Sequence, residues 1–169
     1  MRRTLPLLAA LLLACAFAAR AGAPGFAVSI SPVTVTSAGV TLNGVDQVST
    51  FAATITASAG DSTVGWNITA WAPVPTSGGN TLGTLTVTAQ PTLSACSLGQ
   101  CSLAVPTGII WPVTLGTTAG APAKIYNAGV GSGNKTNTIN VTFGVNVPAM
   151  ALPGTYTTTL TIIGSGAGP

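Results

Sequence analysis

The chain has no histidine and no glutamate, only two aspartates, and only five lysines and arginines together. Charged residues make up 4% of its 169 positions, against roughly 25% in ordinary soluble domains. Each absence excludes a chemistry. Without His, serine and threonine hydroxyls lack their usual general base. Without Glu, a glycosidase-type carboxylate pair would need Asp46 and Asp61 to converge. Both stand in turn-like contexts, Asn-Gly-Val-Asp-Gln and Ala-Gly-Asp-Ser-Thr. Cys96 and Cys101, two thiols with no His or further Cys beyond the N-terminal leader, cannot complete a tetrahedral site, so no metal and no cofactor is expected. Lys124 and Lys135 have no recognisable pocket to activate them. The Gly-rich run Gly-Val-Gly-Ser-Gly-Asn at 129–134 lacks the following helix that phosphate binding uses. The sequence predicts a non-enzyme with no small-molecule substrate.

The charges that do occur are unevenly placed. Arg2, Arg3 and Arg20 fall in the first 20 residues, and the remainder sets Lys124 and Lys135 against Asp46 and Asp61. The net charge of +3 and the pI near 9.1 therefore belong to the N-terminus, and no basic stripe exists to neutralise phosphates. A nucleic-acid partner is not expected. Met1-Arg2-Arg3 reads as the positive start of a signal peptide, and Leu5 to Ala19 as its apolar run. Ala19-Arg20-Ala21 supplies the small residues a signal peptidase reads, so cleavage before Gly22 is expected. This divides the chain into a signal peptide at 1–21 and a single domain at 22–169 with a short Gly-rich tail. The predicted location is extracellular or in the cell envelope. An alternative reading takes Leu12-Leu13-Ala14-Cys15 as a lipobox, with Cys15 acylated as the mature N-terminus. Leu152-Pro153-Gly154-Thr155-Tyr156 has Tyr where a sortase signal needs Gly, so covalent wall anchoring is not expected.

Cys96 and Cys101, in Cys-Ser-Leu-Gly-Gln-Cys, are the cysteines that remain after cleavage. An even pair this close in an oxidising compartment is expected to form a disulfide.

Beyond the leader there is no helical periodicity. Thr and Val alternate instead, broken by Gly, Pro, Asn and Ser about every ten residues. Strands are predicted at 26–31, 33–36, 51–57, 64–71, 82–89, 102–105, 109–115, 124–126, 138–147 and 156–163, since β-branched residues suit a pleated surface. The 72–81 run is predicted to be an exposed loop. The fold class is all-β, an antiparallel Ig-like β-sandwich after an N-terminal signal peptide. Alternation places Trp66, Ile68 and Ala70 on one face of their strand and Asn67, Thr69 and Trp71 on the other. Packing in the core is the simpler role for Trp66. An outward Trp71 is free to stack on a sugar ring or a partner.

Two segments carry a family resemblance. The run from Ala53 to Ala70, Ala-Thr-Ile-Thr-Ala-Ser-Ala-Gly-Asp-Ser-Thr-Val-Gly-Trp-Asn-Ile-Thr-Ala, resembles the first signature of bacterial WxL-type surface domains. There a strand and an acidic turn lead into Gly-Trp-x-Leu. The closing stretch from Val147, with its Gly154-Thr155-Tyr156, resembles that family's last strand. Trp66-Asn67-Ile68 has Ile where Leu is usual, and Leu160-Thr161-Ile162 stands where a second Trp-x-Leu would be. The resemblance implies a secreted sandwich that associates non-covalently with the cell wall, peptidoglycan being the usual partner. It makes Trp66 and Ile68 motif residues, with Trp71 and Trp111 as candidate contacts. The competing expectation is a pilus- or matrix-type subunit that associates with itself or with another surface protein through a sheet edge. A neutral, Thr-rich surface offers little charge repulsion to such assembly.

Overall fold

Residues that alternate between apolar and hydroxyl-bearing side chains build nearly all of the structure. The computed structural model describes residues 12–17, 27–31, 34–35, 39–58, 65–96, 108–129 and 136–166, and among these there is no helix. The strands in chain order are β1 (Leu12–Phe17), β2 (Ala27–Ser31), β3 (Thr34–Val35), β4 (Gln47–Ser58), β5 (Trp66–Trp71), β6 (Thr76–Ser77) and β7 (Asn80–Thr81). They continue with β8 (Leu85–Val87), β9 (Thr92–Cys96), β10 (Val113–Thr114), β11 (Ala123–Ala128), β12 (Thr136–Val147) and β13 (Thr157–Ser165). They form an antiparallel β-sandwich, the architecture the alternation predicts. One sheet runs β11-β5-β13-β1-β3, with the β6–β7 hairpin attached to β13. The other runs β10-β8-β12-β4-β2, with β9 also beside β12.

The second sheet is organised on β4 and β12, which pair over twelve residues from Thr136 opposite Ser58 to Val147 opposite Gln47. Every second residue points inward: Phe51, Ala53, Ile55 and Ala57 meet Ile139, Val141, Phe143 and Val145 in the core. Phe51 and Phe143 are register partners, and their rings stack at 5.3 Å and 18°. Thr and Asn take the outer positions, and Thr54 donates across the strands to Asn140 at 3.2 Å. The other edge of β12 is shared. Its first half pairs with β9 and its second half with β8.

The first sheet supplies the facing half of the core. Trp66, Ile68 and Ala70 of β5 are buried with Tyr126 and Ala128 of β11 and Leu160 and Ile162 of β13. A bulge between Lys124 and Tyr126 turns β11, so that Ile125 and Tyr126 are both buried although adjacent in sequence.

Chain crossings close the two sides of the sandwich. On one side, Val113 and Thr114 pair with β8, and Leu115 N–H donates to the Leu85 carbonyl at 2.9 Å. The next residue, Gly116, bridges Trp71 of the first sheet and accepts a hydrogen bond from Ala72 N–H at 2.9 Å. A Cβ on Gly116 would overlap the Ala121 carbonyl oxygen, so this crossing admits only glycine without a shift. On the other side, β2 pairs with β4 of the second sheet, while β3, beginning three residues after β2 ends, pairs with β1 of the first.

The structure corrects several expectations. The 72–81 run contains the β6–β7 hairpin, whose turn is Gly78-Gly79 with φ of 54° and 89°. A two-residue Gly-Gly turn is a hairpin signal that outweighs the lack of aliphatic residues. The 82–89 strand is shortened to Leu85–Val87 and the 109–115 strand to Val113–Thr114, while Thr92–Cys96 forms a strand that no alternation marks. The strand expected at 102–105 lies outside the described residues. Apart from these differences, the first sheet includes β1, which lies within the expected signal peptide.

Candidate functional site

The residues singled out in the sequence do not converge. Trp66 and Ile68 are wholly buried, at 0% exposure each. Trp66 stacks on Tyr126 at 5.2 Å and 14° between planes. Neither side chain presents a surface to a ligand, which corrects their candidacy as contact residues: the Trp-Asn-Ile segment builds the core. Burial also acts on the stacked phenol, whose pKa is pushed up to about 12 by desolvation.

Trp71 points the opposite way along β5, on the outer face with Asn67 and Thr69, and is half-buried. Its register partner on β13 is Thr161, which is only 6% exposed although it also occupies an outer position. Trp111 is partly buried against the core, follows the fully exposed Ile110, and precedes Pro112 through a cis peptide bond. The chain then runs through β10 to Gly116, which bridges Trp71. Trp71 and Trp111 thus belong to one side of the sandwich, beside the crossing segment, and Trp66 and Ile68 to its interior.

The charged side chains among the described residues are Asp46 and Lys124. Lys124 is exposed on β11. Asp46 is a turn residue, as expected, and its Oδ1 accepts a hydrogen bond from Ala149 N–H at 2.7 Å. That bond ties the turn before β4 to the turn after β12. Val45, Val48, Met150 and Leu152 are exposed around it and form an apolar end to the sandwich. Nearby, a shallow open groove of about 270 Å³ is lined by residues 39–41 and 47–50, whose side chains are uncharged. Asp61, Lys135 and Cys101 lie outside the described residues. Cys96 is the last residue of β9, opposite Asn137, and no disulfide is seen among the described residues. No group of three metal-ligating side chains occurs among them either.

The feature that sequence reasoning missed is the middle of the first sheet. β1 lies between β13 and β3, parallel to the former and antiparallel to the latter. Cys15, considered above for lipidation, occupies the register position opposite Leu160, and Phe17 the position opposite Ile162. One local signal was present: in Leu13-Ala14-Cys15-Ala16-Phe17 larger and smaller residues alternate, the period of a strand. No residue of β13 carries unusual chemistry. What marks the place is that a segment with the composition of an export leader fills an internal position of the sheet.

Compared with known protein families, curated proteins and solved structures, the chain finds no match.

Proposed function

We propose that this protein is an exported, non-catalytic structural subunit of the bacterial cell surface, incorporated there through the strand edges of its first sheet. One observation supports this reading above the others: Leu12–Phe17, part of the expected leader, is an internal strand of that sheet. Removal of residues 1–21 withdraws it and leaves the facing edges of β13 and β3 without that partner. Unpaired edges recruit other strands. The near absence of charge leaves little electrostatic repulsion against such association. A disulfide between Cys96 and Cys101 belongs to the same reading, because export delivers the pair to an oxidising compartment.

The second reading is non-covalent attachment to peptidoglycan. The WxL-type resemblance supports it, and so does the half-exposed Trp71 on the outer face. With so few charges, affinity for a wall polymer must come from aromatic and hydroxyl contacts.

Sizing and wall retention of the exported protein separate the two. The first reading expects a mature N-terminus at Gly22 by mass spectrometry, and association that rises with protein concentration. A strict monomer retained by purified peptidoglycan, and released by Trp71→Ala, would transfer the assignment to the wall-binding reading. An acylated Cys15 at the N-terminus would instead make the protein lipid-anchored.

A further inference from the structure

We infer that in the mature protein the place of β1 is taken by an extended apolar strand donated by a different polypeptide, running parallel to β13 and antiparallel to β3. The inference rests on the assembly reading above and names the partner that reading requires.

The geometry defines the slot. β1 pairs residue for residue with β13, from Leu12 opposite Thr157 to Phe17 opposite Ile162. On its other side it pairs with β3, Leu13 opposite Val35 and Ala14 opposite Thr34. Among the described residues, β3 pairs with β1 alone. In the structure these two flanks stand roughly 10 Å apart, two interstrand spacings, and withdrawing β1 opens that edge of β13 along six residues while β3 loses its pairing. Both flanks present backbone N–H and C=O groups that an unpaired interior position leaves unsatisfied. Only an extended polypeptide satisfies both rows at once. A glycan or a nucleic acid does not carry donors and acceptors at that repeat.

The flanking side chains define the occupant's composition. Leu160 and Ile162 of β13 are core residues, so the donor positions opposite them must be apolar. Thr157 and Thr159 are exposed, and the positions opposite them tolerate small or polar residues. A charge opposite Leu160 or Ile162 would be buried without a partner. Proline in the middle would remove a ladder donor. The required strand is thus about six residues long, uncharged, free of proline and apolar at alternate positions.

Among the described residues of 22–169, no strand is spare for this role. Its N-terminal strand, β2, is paired with β4 over all five residues, from Ala27 opposite Ser58 to Ser31 opposite Thr54, and its Ile30 is in the core. A second copy lending β2 would open its own second sheet to fill its neighbour's first. With every described strand engaged in a pairing, the donor is a different exported polypeptide.

The test uses the full chain, folded first and opened afterwards. A protease site is inserted after Ala21, the folded protein is cut, and the 1–21 fragment is competed with a labelled synthetic peptide of residues 10–19 carrying Cys15→Ser and a lysine tail for solubility. The expected result is that the fragment stays bound after the cut and is displaced by the peptide in a saturable manner. The peptide-filled protein melts higher than the emptied one. Amides of Thr157–Ile162 exchange at least about tenfold more slowly when the slot is filled. A peptide with Ala14→Pro and Ala16→Pro does neither. Register is read by disulfide trapping: Thr159→Cys in the protein captures peptide bearing Ala14→Cys in preference to Leu13→Cys. The inference is overturned if the fragment leaves and β13 amides stay protected in a monomer, because the sheet then closes on itself. It is equally overturned if they are protected in a homo-oligomer that excess peptide does not dissolve, because a second copy is then the occupant. An exported protein that retains Met1 would defeat the assembly reading itself, a result the N-terminal mass reports independently of peptide binding.

Discussion

Replacing Trp66 with alanine separates a core role from a ligand role more sharply than any other substitution. The side chain is fully buried and stacked on Tyr126 at 5.2 Å. A large aromatic side chain buries 150–250 Å², worth ~4–6 kcal/mol at about 25 cal/mol per Å². Alanine keeps the β-carbon and the cavity relaxes in part, so the measured loss for such truncations falls at about 3–5 kcal/mol. That is a large share of the ~5–15 kcal/mol that holds a domain folded. Urea unfolding followed by circular dichroism should show the midpoint of Trp66→Ala lowered by roughly 2 M, taking a slope of about 2 kcal/mol/M. The melting temperature should fall by roughly 10–15 °C. Water admitted to the cavity should also bring the Tyr126 phenol back down from about 12, visible in an ultraviolet titration. At temperatures where the variant is folded, retention on purified cell walls should equal that of the parent. A variant that unfolds at the parent's urea concentration but is no longer retained would refute the core assignment and restore Trp66 as a contact residue.

Alkaline pH provides an independent probe of the same stack. The phenol of Tyr126 titrates near 12 in the folded protein and near 10 when unfolded. Its contribution is complete below pH 10 and is lost as pH rises from 10 to 12, where the unfolded chain binds fewer protons than the folded one. The loss reaches ~3 kcal/mol at two pH units. Urea midpoints measured across that window should fall, and Tyr126→Phe should remove this part of the slope; an unchanged slope in the variant would locate the titration elsewhere. Gly116→Ala places a Cβ on the Ala121 carbonyl oxygen and strains the crossing that holds Ala72. It should cost about 1–3 kcal/mol. Gly120→Ala, where a Cβ meets nothing within 4 Å, should cost under about 1 kcal/mol, and equal losses at the two positions would show that the crossing is not close-packed.

The assembly reading changes how the exposed apolar side chains are understood. The Met150 end of the sandwich and Ile110 are exposed apolar surface on a chain with little charge to keep copies apart. They are exposed with β1 in place, so a partner strand in the same position leaves them available for further contacts. A structural subunit that must touch several neighbours needs such separate surfaces.

Period-two alternation was enough to read an all-β chain and the facing of most side chains. The alternation in β5 placed Trp66, Ile68 and Ala70 inward and Asn67, Thr69 and Trp71 outward, and the burial of those residues follows it. The centres of β4, β12 and β13 were legible for the same reason: facing is a local property with a period of two residues, set by the pleat. β9 was not legible, because Thr-Leu-Ser-Ala-Cys offers one large aliphatic residue and gains its strand conformation only from pairing with β12. Nor was the separation of Trp66 from Trp111, which depends on how residues far apart in the chain cross between sheets. The tertiary structure alone decided that Leu12–Phe17 lies between β13 and β3. An apolar leader-like run states its affinity for any apolar surroundings. Which strand it pairs with is fixed by backbone hydrogen bonds to residues about 145 positions away, and no local pattern encodes those.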